Sequence, residues 1–218
     1  MPWRTSHCPV NDYPQVPFGE LGLEGANPIQ TGPFGSQLLR SEFVSEGVPV
    51  LNVGSISPQG LNLDKLDYVL PEKAATLQRY SLQADDLLFA RTGATLGKVC
   101  LLPEGCDGWL MTGHLFRVRL DKNRCDPRFA FVAFRGAKSI QSQVFDQVRG
   151  ATRPGFNTKL LSNVCLPLPP LEKQREIVKY LNSLEIQINS LKQIQTTTAR
   201  ELDAILPSIL DKAFKGDL

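Results

Sequence analysis

The stretch from Arg149 to Lys159 combines cations, hydroxyls, an amide and an aromatic ring, and it contains no acid. Its cations are Arg149, Arg153 and Lys159, with Thr152 and Asn157 between them. Arginine and lysine contact phosphate oxygens, whereas hydroxyl and amide groups also reach base edges. The composition therefore favours a nucleic-acid contact loop, with a solvated linker as the alternative.

A second group of polar residues lies on a predicted β-hairpin. Apolar residues 87–90 and 99–102 flank a six-residue loop rich in glycine and threonine, with Arg91 and Lys98 at its two ends. Such a loop, which begins at Thr92, can reach phosphates or base edges. A P-loop is excluded, because three residues separate its two glycines where four are needed and because no helix pattern follows.

Three further polar residues fall in predicted turns. Gln59 lies in the loop after an apolar strand, and Thr112 and His114 lie just before another strand. Hydrogen bonding within the fold is the alternative role for His114. The residues Gly-Pro-Phe-Gly-Ser at 32–36 are expected to form an ordinary turn.

The chain lacks the motifs of several common active sites. It has no Asn/Asp-Pro-Pro-aromatic tetrapeptide, no Phe-x-Gly-x-Gly loop, no Gly-x-Ser-x-Gly elbow and no Glu-x-Lys of metal-dependent nucleases. Asp85 and Asp86 are adjacent, so on a strand they would point to opposite faces. Five scattered cysteines and two histidines offer little for a zinc site or a disulfide framework. We therefore predict a binding module without metal or cofactor, not an enzyme.

Charge is distributed unevenly along the chain, although the formal net charge is only +2. Residues 1–88 carry 5 Lys/Arg against 10 Asp/Glu, residues 89–170 carry 12 against 5, and residues 171–218 carry 7 against 7. The basic middle third favours a polyanionic partner, although solvated faces of other proteins look similar. With no signal segment and no apolar run near 18 residues, we predict a cytoplasmic protein without membrane association.

The elements that must position the polar residues are strands and helices in alternation. Strands are predicted over 48–53, 67–70, 115–120 and 164–168, and a short helix over 71–79. A longer helix is predicted from Pro127, with Asp126 as its N-cap, along an apolar stripe that runs up to Gly150. We therefore expect a mixed α/β domain over residues 1–170.

The remaining residues, 171–218, predict a long helix whose seam residues follow alternating steps of four and three. A rod of about 50 Å with one narrow apolar stripe requires a partner helix. We expect Pro207 to break or kink the rod near Leu206, with a short apolar helix afterwards. The polar pair in the seam is expected to set register and orientation. The seam residues are Ile177, Leu181, Leu184, Ile188, Leu191, Gln195, Thr198, Leu202, Ile205 and Ile209.

Taken in order, several segments resemble one known family, the specificity subunits of type I restriction–modification systems. None of the segments is diagnostic alone, but the ordered set is specific and spans the chain from about residue 17 onward. The segments are Gly32–Ser36, Val50–Val53, Asp86–Gly93 with Gly97–Val99, His114–Val118, Pro167–Gln174 with Ile177–Val178, and Ser208–Leu210 with Ala213, Phe214 and Gly216.

The resemblance implies a target-recognition domain that reads half of a bipartite DNA sequence, and a helical region that pairs antiparallel with a second helix. It also implies a non-catalytic subunit that docks methyltransferase subunits, and a motor–nuclease subunit where one is present. Typical members hold two recognition domains and two helical regions, whereas this chain holds one of each. It is therefore similar to a half-subunit, which is either naturally short or one part of a longer or split gene.

Two hypotheses follow. In the first, the chain binds double-stranded DNA and pairs with a second copy or a second half-subunit through its rod. In the second, it is a coiled-coil scaffold without DNA-sequence recognition. Under the first hypothesis, Arg91, Lys98, Arg149, Arg153 and Lys159 are the candidates for mainly phosphate contacts, and Gln59, Thr92, Thr112, His114, Thr152 and Asn157 are the candidates for base-edge contacts.

Overall fold

The computed structural model of the chain describes residues 13–57, 60–91, 98–148 and 157–215. Its strands are β1 (Gln15–Pro17), β2 (Ile29–Thr31), β3 (Phe43–Val44), β4 (Val48–Leu51), β5 (Ile56–Ser57), β6 (Gly60–Leu61), β7 (Asp67–Val69), β8 (Leu87–Ala90), β9 (Val99–Leu101), β10 (Leu110–Met111), β11 (Leu115–Val118) and β12 (Cys165–Pro167). Its helices are α1 (Pro71–Thr76), α2 (Pro127–Gly136), α3 (Lys138–Val148), α4 (Thr158–Asn163) and α5 (Leu171–Lys215). The mixed α/β fold followed by a long C-terminal helix is confirmed.

One four-stranded sheet carries the predicted hairpin. Its order is β2-β11-β8-β9, and every pair of neighbours is antiparallel. All four residues of β8 are buried, which explains why its sequence is a continuous apolar run and does not alternate. Pairing of Leu87 with Leu101 and of Phe89 with Val99 confirms the hairpin. The residues before and after the loop therefore lie at one end of this sheet.

A second four-stranded sheet has the order β10-β4-β7-β3, in which only the β10–β4 pair is parallel. The strand predicted over 48–53 ends two residues early, at Leu51. Asn52 ends it because its side-chain oxygen accepts hydrogen bonds from the amides of Gly54 (2.7 Å) and Ser55 (3.2 Å), which starts a 3₁₀ turn. Two-stranded sheets pair β1 with β12 and β5 with β6.

Three aromatic rings pack helix α2 against the β2-β11-β8-β9 sheet, which we call the central sheet. Phe18 lies 4.7 Å from Phe134 of α2, and Phe89 of β8 lies 4.9 Å from the same ring, measured between centroids. The Phe18 and Phe89 rings are 5.9 Å apart with an edge-to-face arrangement. Such contacts add to the burial of each ring and fix α2 against the sheet.

The single helix predicted from Pro127 to Gly150 is wrong, because the structure divides it into α2 and α3. The predicted start is confirmed, since Asp126 accepts a hydrogen bond from the amide of Arg128 at 2.8 Å. The break follows Gly136, where Ala137 takes an extended conformation (φ −76°, ψ 111°). Glycine costs about 1 kcal/mol in a helix interior, so it is a favourable place for the chain to turn. The turn still buries Ile140 completely.

The expected separate short helix after Pro207 is wrong, because α5 continues through this proline as one helix of 45 residues. The alternative, a kink near Leu206, stays a prediction. Proline removes one backbone donor at a cost of about 3 kcal/mol, which does not require the helix to end there. At 1.5 Å per residue the helix is roughly 68 Å long. Within the described ranges, no helix has the length and hydropathy needed to cross a membrane.

The chain forms two compact units, which divide between Arg175 and Glu176. The first turn of α5 therefore belongs to the α/β unit, and buried Gln174 connects it to that unit. The Gln174 side chain accepts from the amide of Asp126 (2.8 Å) and donates to the carbonyls of Pro169 (2.8 Å) and Arg124 (3.1 Å). These three hydrogen bonds satisfy the buried side-chain amide of Gln174, and they therefore hold the first turn of α5 in place.

Candidate nucleic-acid interface

Four of the predicted contact residues converge at one end of the central sheet. Arg91 follows β8 and Lys98 precedes β9, and the hairpin is closed there by a hydrogen bond from the Ala90 amide to the Lys98 carbonyl (2.9 Å). The Arg91 amide donates to the carbonyl of His114 at 3.0 Å, which joins the hairpin to the turn before β11. We call this region, formed by residues 32–34, 91, 98 and 112–114, the convergent edge.

The guanidinium group of Arg91 lies close to two aromatic rings. It lies 4.7 Å from the centroid of the Phe34 ring and 5.6 Å from that of Phe116. Its Nη1 is 3.4 Å from the carbonyl oxygen of Gly113. Cation–π contacts of this kind stabilise by about 0.5–1 kcal/mol at partly exposed sites. The sequence places a charge here, and the structure adds a fixed orientation.

Two glycines allow the segment 32–34 to pack against the turn that contains Gly113. A Cβ atom on Gly32 would collide with the carbonyl of Thr112, and a Cβ atom on Gly113 would lie 2.9 Å from the ring of Phe34. The amide of Gly32 also donates to the carbonyl of Leu115 at 3.2 Å. The stretch expected to be an ordinary turn is therefore part of the convergent edge. Only its presence in the family-like set of motifs indicated this beforehand.

Thr112 and His114 differ in what they present to solvent. The Thr112 amide donates to the carbonyl of Leu51 at 2.8 Å, and its hydroxyl oxygen is buried without a hydrogen-bond partner. A buried hydroxyl does not fit the predicted base-edge role. The His114 side chain and Lys98 are exposed, so both remain candidates.

Asn157 and Lys159 lie at the start of α4. The Asn157 side-chain oxygen accepts from the amide of Leu160 at 2.8 Å, so it caps the helix. Lys159 is exposed in the first turn, and α4 contacts β2 and the 3₁₀ turn at Phe18–Glu20. Asn157 thus has a structural role that also explains its residue type. The other predicted contacts, Gln59, Thr92, Arg149, Thr152 and Arg153, lie outside the described residues.

Part of the basic charge of the middle third forms contacts within the domain. Arg119 forms a two-point ion pair with buried Asp86, with nitrogen–oxygen distances of 2.8 and 2.7 Å. Lys122 pairs with Asp85 at 2.6 Å, and Arg117 donates to the carbonyl of Ser81 at 2.6 Å. Burial, and then the neighbouring Arg119, lower the pKa of Arg117. The net charge of the sequence therefore overstates the charge available to a partner.

Asp85 and Asp86 both precede β8, and each pairs with a different cation, Asp85 with Lys122 and Asp86 with Arg119. The two carboxylates therefore do not form an acid–base pair. Burial raises the pKa of the Cys100 thiol to about 11 and that of Cys125 to about 12, which keeps both thiols protonated. Among the residues that the structure describes, no three His, Cys, Asp or Glu side chains are grouped to hold a metal ion.

The seam of α5 is largely exposed in the single chain. Ile177, Leu181 and Leu184 are partly covered, whereas the later apolar positions are not. Their exposed fractions are 49% for Ile188, 60% for Leu191, 61% for Leu202, 48% for Ile205 and 47% for Ile209. Gln195 and Thr198 are exposed as well. A row of large exposed apolar side chains on one helix marks an interaction surface.

The fold corresponds to a known class. Residues 38–198 match the family described as the type I restriction modification DNA specificity domain, and the chain belongs to this family. The resemblance inferred from the ordered motifs is thus confirmed.

Two relatives illustrate the match. One is a protein of Methanocaldococcus jannaschii described as the putative specificity subunit of the MjaX type I restriction enzyme. The two sequences are 30% identical over 176 residues, and the matched region covers 78% of this chain and 38% of the relative. The other is the EcoKI specificity subunit of Escherichia coli K12, which is 28% identical to this chain over 222 residues. That matched region covers 99% of this chain and 45% of the relative. The chain therefore spans less than half the length of each.

Solved structures show the same fold. The HsdS subunit of Thermoanaerobacter tengcongensis superposes with a TM-score of 0.62 at 19% identity, covering 88% of this chain and 47% of the HsdS chain. A chain from a study of complex assembly in the type I R-M system gives 0.66 at 22% identity, covering 100% of this chain and 49% of that chain.

Proposed function

We propose that this chain is a DNA-reading specificity subunit that recognises one half of a bipartite target and directs a methyltransferase to it. The observation that carries the proposal is the convergent edge, where a loop-forming hairpin and two other segments meet around Arg91 in a member of this family. Lys98 and Lys159 are exposed cations suited to phosphates, and His114 is suited to a base edge. The contacts predicted at Gln59, Thr92, Arg149, Thr152 and Arg153 belong to the same proposal.

The seam of α5 supports pairing with a second copy of this chain. An isologous interface requires that residue i contacts residue j of the partner and that j contacts i. Around a two-fold axis between residues 196 and 197, an antiparallel pair would match Ile188 with Ile205, Leu191 with Leu202 and Gln195 with Thr198. The spacing is the same in both directions, so the isoleucines meet each other and the leucines meet each other in these two apolar layers. Such self-complementarity favours a homodimer.

In such a dimer the rod separates the two recognition domains. Each helix would extend about 20 residues from Glu176 to the axis, so the two Glu176 residues would be on the order of 60 Å apart along the rod. Two copies related by a two-fold axis read an inverted repeat with an unread gap. Methyltransferase subunits would dock on the helical region, and catalysis would reside in them. We place this assembly in the cytoplasm.

Co-expression with the cognate methyltransferase followed by methylome sequencing tests the function. We expect a modified motif made of two short parts separated by a fixed gap. A modified motif without that two-part form would contradict the proposal.

Binding to duplex DNA at two salt concentrations, with and without the methyltransferase, separates this function from a coiled-coil scaffold. Sequence-specific binding that weakens steeply with salt supports DNA reading, because each neutralised phosphate releases counterions. The exposed seam of α5 would suit a coiled-coil scaffold equally well. Absence of DNA binding both with and without the methyltransferase would favour the scaffold.

A further inference from the structure

We propose that Arg91 reads a guanine in the major groove and that Phe34 and Gly113 fix the plane of its guanidinium group for this purpose. The inference rests on the proposed function and deepens it. It also revises the role predicted from the sequence, in which Arg91 is mainly a phosphate contact. A phosphate contact needs only a positive charge within reach, whereas a base contact needs a defined orientation.

The first argument is the preorganisation of Arg91. Its guanidinium group lies against Phe34 at 4.7 Å and Phe116 at 5.6 Å, and Nη1 is 3.4 Å from the carbonyl oxygen of Gly113. Its backbone is fixed by the hydrogen bond to His114. A side chain ordered before binding loses less conformational entropy when it forms directional hydrogen bonds.

The second argument is that Arg91 is ordered without being neutralised. Arg119 gives the direct contrast, because its Nε and Nη2 both donate to the carboxylate of Asp86. No ion pair formed among the described residues involves Arg91. A guanidinium group has five N–H donors, and the carbonyl of Gly113 takes one of them. Within the part of the chain that the structure describes, the N–H groups on Nε and Nη2 have no hydrogen-bond acceptor, and these form one of the donor pairs that a bidentate contact uses.

The third argument is the placement of Phe34. Its ring is 47% exposed although it lies on the Arg91 guanidinium, and Gly113 leaves it room that a side chain would fill. The segment that contains Phe34 is also fixed to the rest of the domain through Gln37. The Gln37 side chain accepts hydrogen bonds from the Phe34 amide (3.1 Å) and from the Tyr80 hydroxyl (2.9 Å). A ring positioned so specifically and left half exposed orients its partner at a binding surface.

The ligand chemistry follows from the donor geometry. The parallel N–H donors of arginine match the O6 and N7 acceptors that guanine presents in the major groove, the commonest specific contact of this side chain. Exposed Lys98, across the base of the same hairpin, supplies a charge suited to the neighbouring phosphate.

The experiment uses the full chain bound to its methyltransferase, with selection from a randomised duplex library followed by sequencing. Each guanine of the selected motif is then replaced by 7-deazaguanine, which lacks the N7 acceptor. We expect one guanine at which this replacement weakens wild-type binding about tenfold or more. Arg91→Lys should lose the preference at that position and show no further loss with 7-deazaguanine there.

A motif unchanged in Arg91→Lys, with the 7-deazaguanine effects retained, would overturn the inference and leave a phosphate contact. In that case the proposed function would stand. A wild-type complex that selects no motif would instead overturn the proposed function, and this inference with it.

The positioning role of Phe34 has its own test and does not depend on the folding of the arginine variant. Phe34→Leu should weaken discrimination at the same guanine, and Phe34→Tyr should restore it, because a tyrosine ring keeps the stacked face. Leu63→Ala, at a residue 59% exposed outside the convergent edge, is the matched control and should leave the motif intact. Equal selectivity of Phe34→Leu and wild type at every position would contradict the role.

Discussion

Arg119 and Asp86 form the best-defined charged contact of the domain, in which Nε lies 2.8 Å from Oδ1 and Nη2 lies 2.7 Å from Oδ2. Asp86 is only 1% exposed, and its Oδ2 also accepts the amide of Gln83 at 2.8 Å. The pair joins the start of β8 to the residue after β11. Arg119 contributes to the basic charge that favours a polyanionic partner, but its guanidinium group is used to stabilise the fold.

We predict that Asp86→Ala destabilises the protein by roughly 2–4 kcal/mol, because it leaves a partly buried guanidinium without its carboxylate. Urea denaturation measures the change in the free energy of unfolding. Lys122→Ala is the control, since its pair with Asp85 is far more exposed and should be worth less than about 1 kcal/mol. Equal losses for the two variants would show that burial does not determine the strength of these pairs.

Gly32→Ala is expected to destabilise the convergent edge by about 2–3 kcal/mol, because the added Cβ would collide with backbone at Thr112 that has little freedom to move. Thermal unfolding and DNA binding should both be affected. Gly136→Ala is the matched substitution, since nothing lies within 4 Å of a Cβ there. That variant should be neutral or stabilised by roughly 0.4–1 kcal/mol through the unfolded state. A tolerant Gly32 would mean that segments 32–34 and 112–114 pack more loosely than the structure indicates.

The sequence predicts the local features of this domain well and its long-range contacts poorly. The β8–β9 hairpin and the Asp126 cap depend on neighbouring residues, and both are confirmed. The sequence does not predict the break after Gly136, because the apolar stripe continues through Ile140 and the cost of one glycine is small.

The convergent edge shows the same limit. Arg91 and His114 are recognisable as polar residues near predicted strand ends. The position of Phe34 depends on Gly113, which lies 79 residues away, and the pairing of Arg119 with Asp86 spans 33 residues. Neither relationship leaves a periodic signal in one sequence, so the sequence predicts an ordinary turn at residues 32–36 and does not predict the ion pair.

Stability at alkaline pH should decrease as the buried thiols ionise. The folded-state pKa of Cys125, about 12, lies above the value near 8.5 expected for an unfolded chain. The folded state therefore holds its proton more tightly, so this contribution is fully present below about pH 8.5 and is lost as the pH rises toward 12, by at most about 1.4 kcal/mol per pH unit. Cys125→Ala should flatten the decline in unfolding free energy between pH 9 and 11. Val99→Ala, a truncation at another buried position, should lower stability without changing the slope.

Gln195→Leu is expected to strengthen association of the rod and loosen its register. A polar residue in a coiled-coil seam reduces stability but restricts the alternative pairings, and leucine removes both effects. Analytical ultracentrifugation and thermal melting measure association. Gln193→Leu, two residues away and off the seam, controls for added hydrophobicity. Unchanged association in Gln195→Leu would show that position 195 is simply exposed.

The two-fold axis proposed between residues 196 and 197 makes a direct geometric prediction. In that register Gln195 of one copy faces Thr198 of the other, so the double variant Gln195→Cys/Thr198→Cys should form an intermolecular disulfide under mild oxidation. The pair Gln193→Cys/Arg200→Cys is centred on the same axis but lies on the opposite side of the helix, where side chains of the two copies point apart. It should remain largely unlinked. Efficient bridging of both pairs would contradict a fixed register, and bridging of neither would leave the seam to a partner other than a second copy.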